Sequence, residues 1–379
     1  MQKKLIALAV AGLVSGGAFA QTNVTISGLV RMSVEQYKLS SVPAGQQASA
    51  ENRISDQSSM VVFKGREDLG GGMYAGFQFD NRWNPDMGNA TSAGGNSNIH
   101  LGGTWGQVAM GRQDLHYGTA LESYKAYTLQ NILSNGIFAQ VNGTTVAIGS
   151  RTPNVIMYDS PNMSGFSVRL AASTAWAGTE GSGLRASGVT DPGKGSATNL
   201  ALNYANGPIT AGYSYWRAKA EGDKAAAIAA TNVPPAAPTA AVAATADQRG
   251  DTLQFGYTFP MGFKVGLGWN KSKLETTAGE TSRTAWILPM SYTFGANQVA
   301  FTYAKAGNAS NQADSGANAY TLAYGYSMSK RTNLGVAYSK LDNKSGGTYD
   351  LFAIGANGGT ATPAGADVSQ VSFNMNHSF

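Results

Sequence analysis

Large apolar residues recur at every second position of this chain, over segment after segment. In "QVAFTYAKAG", Val299, Phe301 and Tyr303 share one side of an extended strand and Ala300, Thr302 and Ala304 the other, because successive side chains of a strand point to opposite faces. The same split separates Leu253, Phe255, Tyr257 and Phe259 from Thr252, Gln254, Gly256 and Thr258. It also separates Phe263, Val265, Leu267 and Trp269 from Lys264, Gly266, Gly268 and Asn270, and Tyr320, Leu322, Tyr324 and Tyr326 from Thr321, Ala323, Gly325 and Ser327. One face is large and aromatic-capped; the other is small or polar. With 48 Gly, 17 Tyr, 14 Phe and 13% charged residues, the composition fits strands and turns rather than a helical bundle or a disordered chain.

A β-sandwich in water also alternates, and two features separate it from a barrel in lipid. Tyr and Trp gather near strand ends, as aromatic girdles require, and the opposite faces suit a watery lumen. Connections also alternate in length. "NGP" at 206–208, "PMG" at 260–262, "GAN" at 295–297 and "SKRT" at 329–332 are tight turns, whereas 38–52, 218–249, 308–317 and 342–366 are long polar loops. Short turns on one side and long loops on the other are the arrangement of an outer-membrane barrel.

The start of the chain agrees. "MQKKLIALAVAGLVSGGAFA" carries Lys3 and Lys4, an apolar run from Leu5 to Val14 and the small-x-small pattern Ala18-Phe19-Ala20, which together read as a secretory signal peptide over residues 1–20. Residues 21–379 are then the barrel domain. Without Lys3 and Lys4 the 27 basic residues fall to 25 against 22 acidic ones, a formal charge of about +3, too small a bias to argue for nucleic acid. There is no Cys, so nothing covalent holds the fold in an oxidising compartment. Beyond the leader no stretch approaches the roughly 18 apolar residues of a membrane helix.

Sixteen strands are expected, near 24–37, 53–66, 73–83, 97–103, 107–113, 152–160, 165–175, 197–206, 208–217, 250–259, 262–272, 282–294, 297–307, 317–328, 332–341 and 366–379. An even number puts both ends on the periplasmic side and lets the first strand pair with the last, leaving no open edge. At about sixteen strands a barrel is too wide for side chains to fill. The fold class is therefore all-β, a 16-stranded antiparallel transmembrane β-barrel around an aqueous channel.

Several stretches carry a family resemblance. "VTISGLVRMSVE" resembles the first strand of the general porins of the Gram-negative outer membrane, in the trimeric sixteen-stranded group typical of β-proteobacteria. "FKGREDLGGGMYAGFQFDNR" resembles that group's second hairpin, "GGTWGQVAMGRQD" its fourth and fifth strands, "NVIMYDSPNMSGFSV" its sixth and seventh, and "YGYSMSKRTNLGVAYS" its fourteenth and fifteenth. The resemblance implies a homotrimer in the bacterial outer membrane, in contact with its lipid and lipopolysaccharide, that passes small hydrophilic solutes and ions. It also implies that the closing strand "VSQVSFNMNHSF", ending on Phe379, is the signal read by the outer-membrane assembly machinery.

The connection at about 114–150 is long enough to be functional by length alone, and by resemblance it is the third loop, an inward-folded constriction. It holds Asp114, Glu122 and Lys125 with Tyr117, Tyr124 and Tyr127. Alternation turns Arg31, Glu35, Lys64, Arg66, Asp80, Arg82, Arg169 and Lys264 inward. Arg112 has the parity of Val108 and Met110, but a charge facing lipid at midplane costs about 2 to 4 kcal/mol. It stands where the chain bends into the lumen, and the family's matching Arg points at the constriction. Met60 departs from relatives, which often carry an inward Arg there. The expected pore-lining set is Arg31, Lys64, Arg66, Arg82, Arg112, Asp114, Glu122 and Arg169, and a surplus of fixed positive charge lowers the barrier for anions.

Other chemistries are poorly served. "GREDLGGGM" lacks the Gly-Lys-Ser/Thr ending of a phosphate loop, so Gly70, Gly71 and Gly72 read as a turn with positive φ. "KAAAIAATNVPPAAPTAAVAATA" reads as a solvated loop. His100, His116 and His377 are too scattered for a metal site. A barrel enzyme would need a His beside an acid and a hydroxyl; His116, near Asp114, is the one candidate and reads as an ordinary loop residue. No cofactor is expected. The alternative to a diffusion channel is a surface-interaction or adhesin barrel.

Overall fold

A computed structural model describes residues 23–45, 48, 50–116, 137, 140–142, 144–146, 151–176, 195–220, 246–276, 278–351 and 362–379. Residues 1–22, most of the long third connection including Glu122, Lys125 and the three expected tyrosines, and parts of five other loops lie outside the described residues. The strands are β1 (Asn23–Ser40), β2 (Ala50–Asp56), β3 (Met60–Gly70), β4 (Met73–Asn84), β5 (Asn89–Thr91), β6 (Ser97–Gly103), β7 (Gly106–Asp114), β8 (Gln140–Val141), β9 (Thr144–Thr145) and β10 (Arg151–Asp159). They continue with β11 (Phe166–Ser173), β12 (Ser196–Asn206), β13 (Ile209–Lys219), β14 (Asp247–Thr258), β15 (Phe263–Thr276), β16 (Gly279–Phe294), β17 (Asn297–Ala306), β18 (Ala317–Ser327), β19 (Thr332–Asn343) and β20 (Asp367–Ser378).

Apart from the small hairpin β8–β9, these strands form one 18-stranded antiparallel sheet. In it β2 and β3 share one wall position beside β1, and β5 and β6 share another beside β4. The wall is therefore sixteen strands around. Closure comes from β1, which pairs with β20 from Leu29↔Ser378 to Ser40↔Asp367 and on its other edge with β3 and β2. Each of the sixteen wall positions has a neighbour on both sides, so the ladder satisfies backbone polar groups without water, as a lipid environment demands.

Facing follows the alternation. Val371, Phe373 and Met375 on β20, Val336 and Tyr338 on β19 and Leu253 and Phe255 on β14 are exposed, while Gln370, Ser372, Asn374, Ser339 and Thr252 point to the buried interior. Lipid rewards the first set and water in the lumen the second. Tight turns join the strands at one end; Gly70, Gly71 and Gly72 there have φ of 78°, 60° and 79°, values open to glycine without a Cβ clash. Among the described residues no helix is long and apolar enough to cross a membrane.

The wall is interrupted at three adjoining places. The segment expected as one strand over 53–66 is two strands, parted at 57–59. There the Asp56 carboxylate accepts from the Ser58 and Ser59 N–H groups at 2.9 and 3.0 Å, Ser58 has φ of 73°, and Gln57 N–H donates to Arg31 O at 2.9 Å. The break shifts the phase by one residue. Arg53, opposite Glu35, turns inward and its guanidinium lies 4.2 Å over the Tyr37 ring, whereas Ile54 is 67% exposed. A slip of one residue exchanges the faces of a strand, so parity counted from Lys64 does not hold above the break.

The second interruption, at 92–96, parts β5 from β6. Ala93 N–H donates to Asn81 Oδ1 at 3.0 Å and Gly95 N–H to Asp80 O at 2.9 Å. The third is a bulge between Thr152 and Val155 on β10, opposite β7, where Gly111 has φ of 142° and Asn154 of 53°. A bulge turns the following side chains off the regular alternation.

Candidate functional site

Four arginines stand at these three breaks. Arg31 is beside the first, and its N–H donates to Ser59 Oγ at 2.9 Å. Arg82, opposite Met60 in the register, donates to Ser58 Oγ at 2.7 Å and pairs with Asp80 at 2.6 Å. Arg112 follows Gly111, and its Nε donates to Gly94 O at 3.4 Å across the second break. Arg151 begins β10, with Nε 3.7 Å from Asp114. Arg31 lies in the field of Arg82 and Asp56, and Arg151 in the fields of Arg82, Arg112, Asp80 and Asp114. The breaks thus gather cations from β1, β4, β7 and β10 into one band, against Asp56, Asp80 and Asp114.

Physical chemistry accounts for the coincidence. Where a strand breaks, its backbone groups leave the ladder and need other partners, and a guanidinium, with five donors in a rigid fork, can satisfy several acceptors while keeping its charge. Asp114 stays in place through Asn96, whose Oδ1 accepts from the Asp114 N–H at 2.7 Å and whose Nδ2 donates to Asp114 Oδ2 at 3.1 Å.

The remaining expected residues are spread along the wall. Lys64 and Arg66 lie on β3 opposite Gln78 and Gly76; the Arg66 guanidinium sits 3.7 Å over the Tyr74 ring. Arg169 is held bidentately by Asp159, at 2.6 and 2.9 Å, and reaches Asp114 O at 3.2 Å, so its charge is largely neutralised. Glu35 accepts from Ser55 at 3.3 Å and is also bonded by Ser33 and Gln57. Lys264 is away from the band, opposite Thr258 and Ser291. Arg151, Arg53 and Gln113 were not singled out in the sequence. Arg151 follows a long connection, and only the bulge brings it to the band.

The described ends of the third connection cross the barrel. His116 is fully buried; its Nδ1 is 3.0 Å from Ser214 Oγ on β13, and its ring stands 6.4 Å from that of Trp216. Gln140 on β8 accepts a hydrogen bond from Arg283 of β16, and Leu115, Ile137, Val141 and Val146 are buried in one cluster with Trp176, Trp216, Leu274 and Ile287. Inner-wall residues of β17–β19 are small there, among them Ala304, Ala319 and Ala337, which leaves room for the crossing segment. His116 is thus not an ordinary loop residue. Full burial also keeps the His116–Ser214 pair away from any solute.

No group of three or more His, Asp or Glu among the described residues could hold a metal ion. Among the described residues the arrangement offers a charged, water-facing band and no accessible acid–base–nucleophile constellation.

A family model described as Gram-negative porin matches residues 7–346. The chain is 28% identical to outer membrane porin protein 32 of Delftia acidovorans over the whole of both chains. It is 25% identical to an outer membrane porin protein of Bordetella pertussis, covering 88% of this chain and 92% of that one. Among solved structures, an anion-selective porin from Comamonas acidovorans superposes with a TM-score of 0.73 at 24% identity, covering 95% of this chain and all of that one. A closed sixteen-stranded barrel with a polar interior and a match over most of its length place the chain in the Gram-negative porin family, the channel-forming proteins of the bacterial outer membrane.

Proposed function

We propose that the protein is a passive diffusion channel for small hydrophilic solutes and ions with a modest preference for anions, set by the band of Arg31, Arg82, Arg112 and Arg151. The observation that carries this reading is the gathering of four guanidiniums at the three wall breaks against three carboxylates. Lys64 and Arg66 extend the positive wall along β3. A ring of fixed charge lowers the entry barrier for counter-ions and raises it for co-ions. The name of the Comamonas structure, an anion-selective porin, favours the same sign.

The connection at about 114–150, with Glu122, folds into the lumen as the constriction; the seating of His116 and Gln140 on the far wall supports this. Residues 1–20 are removed on export, three barrels associate side by side, and Phe379 marks the chain for assembly. Reconstitution in a planar bilayer tests the channel. Stepwise conductance in threes and a zero-current potential of anionic sign in a KCl gradient are expected; a cationic sign overturns the selectivity.

A further inference from the structure

A row of polar side chains crosses the inner wall of the barrel. Ser214 of β13 is directly opposite Thr252 of β14, Thr252 is directly opposite Asn270 of β15, and Arg283 of β16 follows on the diagonal, opposite Ser272. Each of these five is exposed by 5% or less. Arg283 Nη1 donates to Asn270 Oδ1 at 2.9 Å, Ser272 Oγ donates to the same oxygen at 2.9 Å, and Asn270 Nδ2 donates to Thr252 Oγ1 at 2.9 Å. A guanidinium can only donate, so the Asn270 amide is held with its oxygen toward β16 and its nitrogen toward β14.

The two described ends of the third connection sit on the two ends of this row. At one end His116 has Nδ1 3.0 Å from Ser214 Oγ and Nε2 3.5 Å from Thr252 Oγ1, and its ring covers the bare Cα of Gly250, where a Cβ would stand 2.6 Å from Nε2. At the other end Gln140 O accepts from Arg283 Nη2. The hydrophobic contacts of Leu115, Ile137 and Val141 hold the same ends to the wall, but such contacts are non-directional, whereas hydrogen bonds prescribe distance and angle. Burying so many polar groups costs stability unless they are matched, and here part of the match is the crossing segment itself. Since β14 and β16 are two strand spacings apart, about 10 Å, the ends meet at a short neck. Closing a neck removes conformations from the chain beyond it.

We infer that Asn270 and Arg283 are positioning residues for conduction: they join the two ends of the third connection into one hydrogen-bonded clamp, and the clamp fixes where that connection stands in the lumen. The inference rests on the reading of the connection as the constriction. Both residues are buried, so they act through His116 and Gln140 and not on a passing solute. Asn270 is the link between the two halves, and its loss loosens both ends at once. Thr252 stands on the His116 side of that link, and its loss loosens that end alone.

The test follows backbone amide exchange by mass spectrometry on the full-length folded protein in neutral detergent, with single-channel recording of the same variants in a planar bilayer. Asn270→Leu, similar in size and unable to hydrogen-bond, should speed exchange about tenfold at both 115–116 and 140–142, the factor that corresponds to losing one hydrogen bond to a charged group. Thr252→Val should speed it about threefold at 115–116 alone, and Thr252→Ser, which keeps the hydroxyl, should leave both ends unchanged. Open-channel current noise should rise in Asn270→Leu and stay at its original level in Thr252→Ser. Faster exchange at only one end in Asn270→Leu, or equally faster exchange throughout β14–β16, would overturn the clamp. The Thr252 pair keeps the test open if Asn270→Leu does not fold: equal exchange at 115–116 in Thr252→Val and Thr252→Ser would overturn it too. Faster exchange at both ends with unaltered current noise would leave the clamp standing and overturn the reading of the connection as the constriction.

Discussion

Phe379 and Gly28 exchange both of their backbone hydrogen bonds, each N–H donating to the other's carbonyl at 3.0 Å, and the Phe379 ring covers the bare Cα of Gly28. A Cβ at position 28 would collide with that ring. An aromatic side chain folded over a cross-strand glycine shields it and contributes a cross-strand contact worth about 0.2 to 1 kcal/mol. The contact lies where β1 and β20 close the barrel.

Gly28→Ala should therefore lower the temperature at which the folded form converts to its slower or faster migrating unfolded form on a gel. In a Phe379→Ala background the same change should cost less, because contacting residues couple, with only the approach of the new Cβ to the Met60 carbonyl oxygen at 2.9 Å remaining. Additive shifts would show that the ring does not rest on Gly28. Deleting Phe379 should reduce the amount at the cell surface more than the conductance of what is inserted.

Arg112→Gln and Arg151→Gln should each move the zero-current potential in a salt gradient toward cations, and the double change further. The field of the band reaches about 30 Å at 0.01 M salt and about 10 Å at 0.1 M, so the shift should shrink as ionic strength rises. Arg169→Gln leaves Asp159, 2.6 Å from that guanidinium, without its partner, and should move the potential in the same direction. A reversal potential indifferent to Arg112 and Arg151 would remove the band from the selectivity mechanism.

Asn142 ties the crossing segment to the loops at the barrel mouth. Its N–H donates to Tyr349 Oη at 3.1 Å, its Nδ2 to Gln312 Oε1 at 2.7 Å and Gly346 O at 3.3 Å, and its Oδ1 accepts from Thr348 N–H at 3.0 Å and Thr348 Oγ1 at 3.1 Å. Its φ is 43°, a conformation that Asn tolerates and glycine adopts freely. Asn142→Gly keeps the backbone and removes the side-chain bonds, so open-channel current noise should rise while the folded yield holds. Unchanged noise would mean that the segment is held elsewhere.

Burial pushes the His116 imidazole down to about 3 from its ordinary value near 6.5. A folded-state value below the unfolded one means that the unfolded chain binds the extra proton first. The stability due to neutral His116 is present above about 6.5 and is lost as pH falls toward 3. Thermal midpoints measured from pH 7 to pH 4 should decline less steeply in His116→Gln than in the unaltered protein; parallel declines would place the titration elsewhere.

The sixteen wall strands, their inward and outward faces over most of their length and the tight glycine turns were legible in the residues, because lipid on one side and water on the other impose a choice at each successive position. That choice is local: Val336, Tyr338, Phe373 and Met375 announce their side without reference to any partner. The proposals that the third connection constricts the pore and that Phe379 is an assembly signal rest on the family resemblance, since alternation encodes neither.

Tertiary structure decided the rest. "RISDQSSMVVFK" is strand-like on both sides of its break, and only pairing with the two halves of β1 divides it and exchanges the faces of Arg53 and Ile54. Arg151 joins Arg112 because Gly111 and Asn154 bend two neighbouring strands at one height. His116 is buried because its segment crosses to β13, 98 residues away in sequence. Alternation records which solvent each side chain meets, and it is blind to which strand lies alongside and at what height. The charged band depends on both, so the sequence by itself determined the wall, and the closed sheet determined the site.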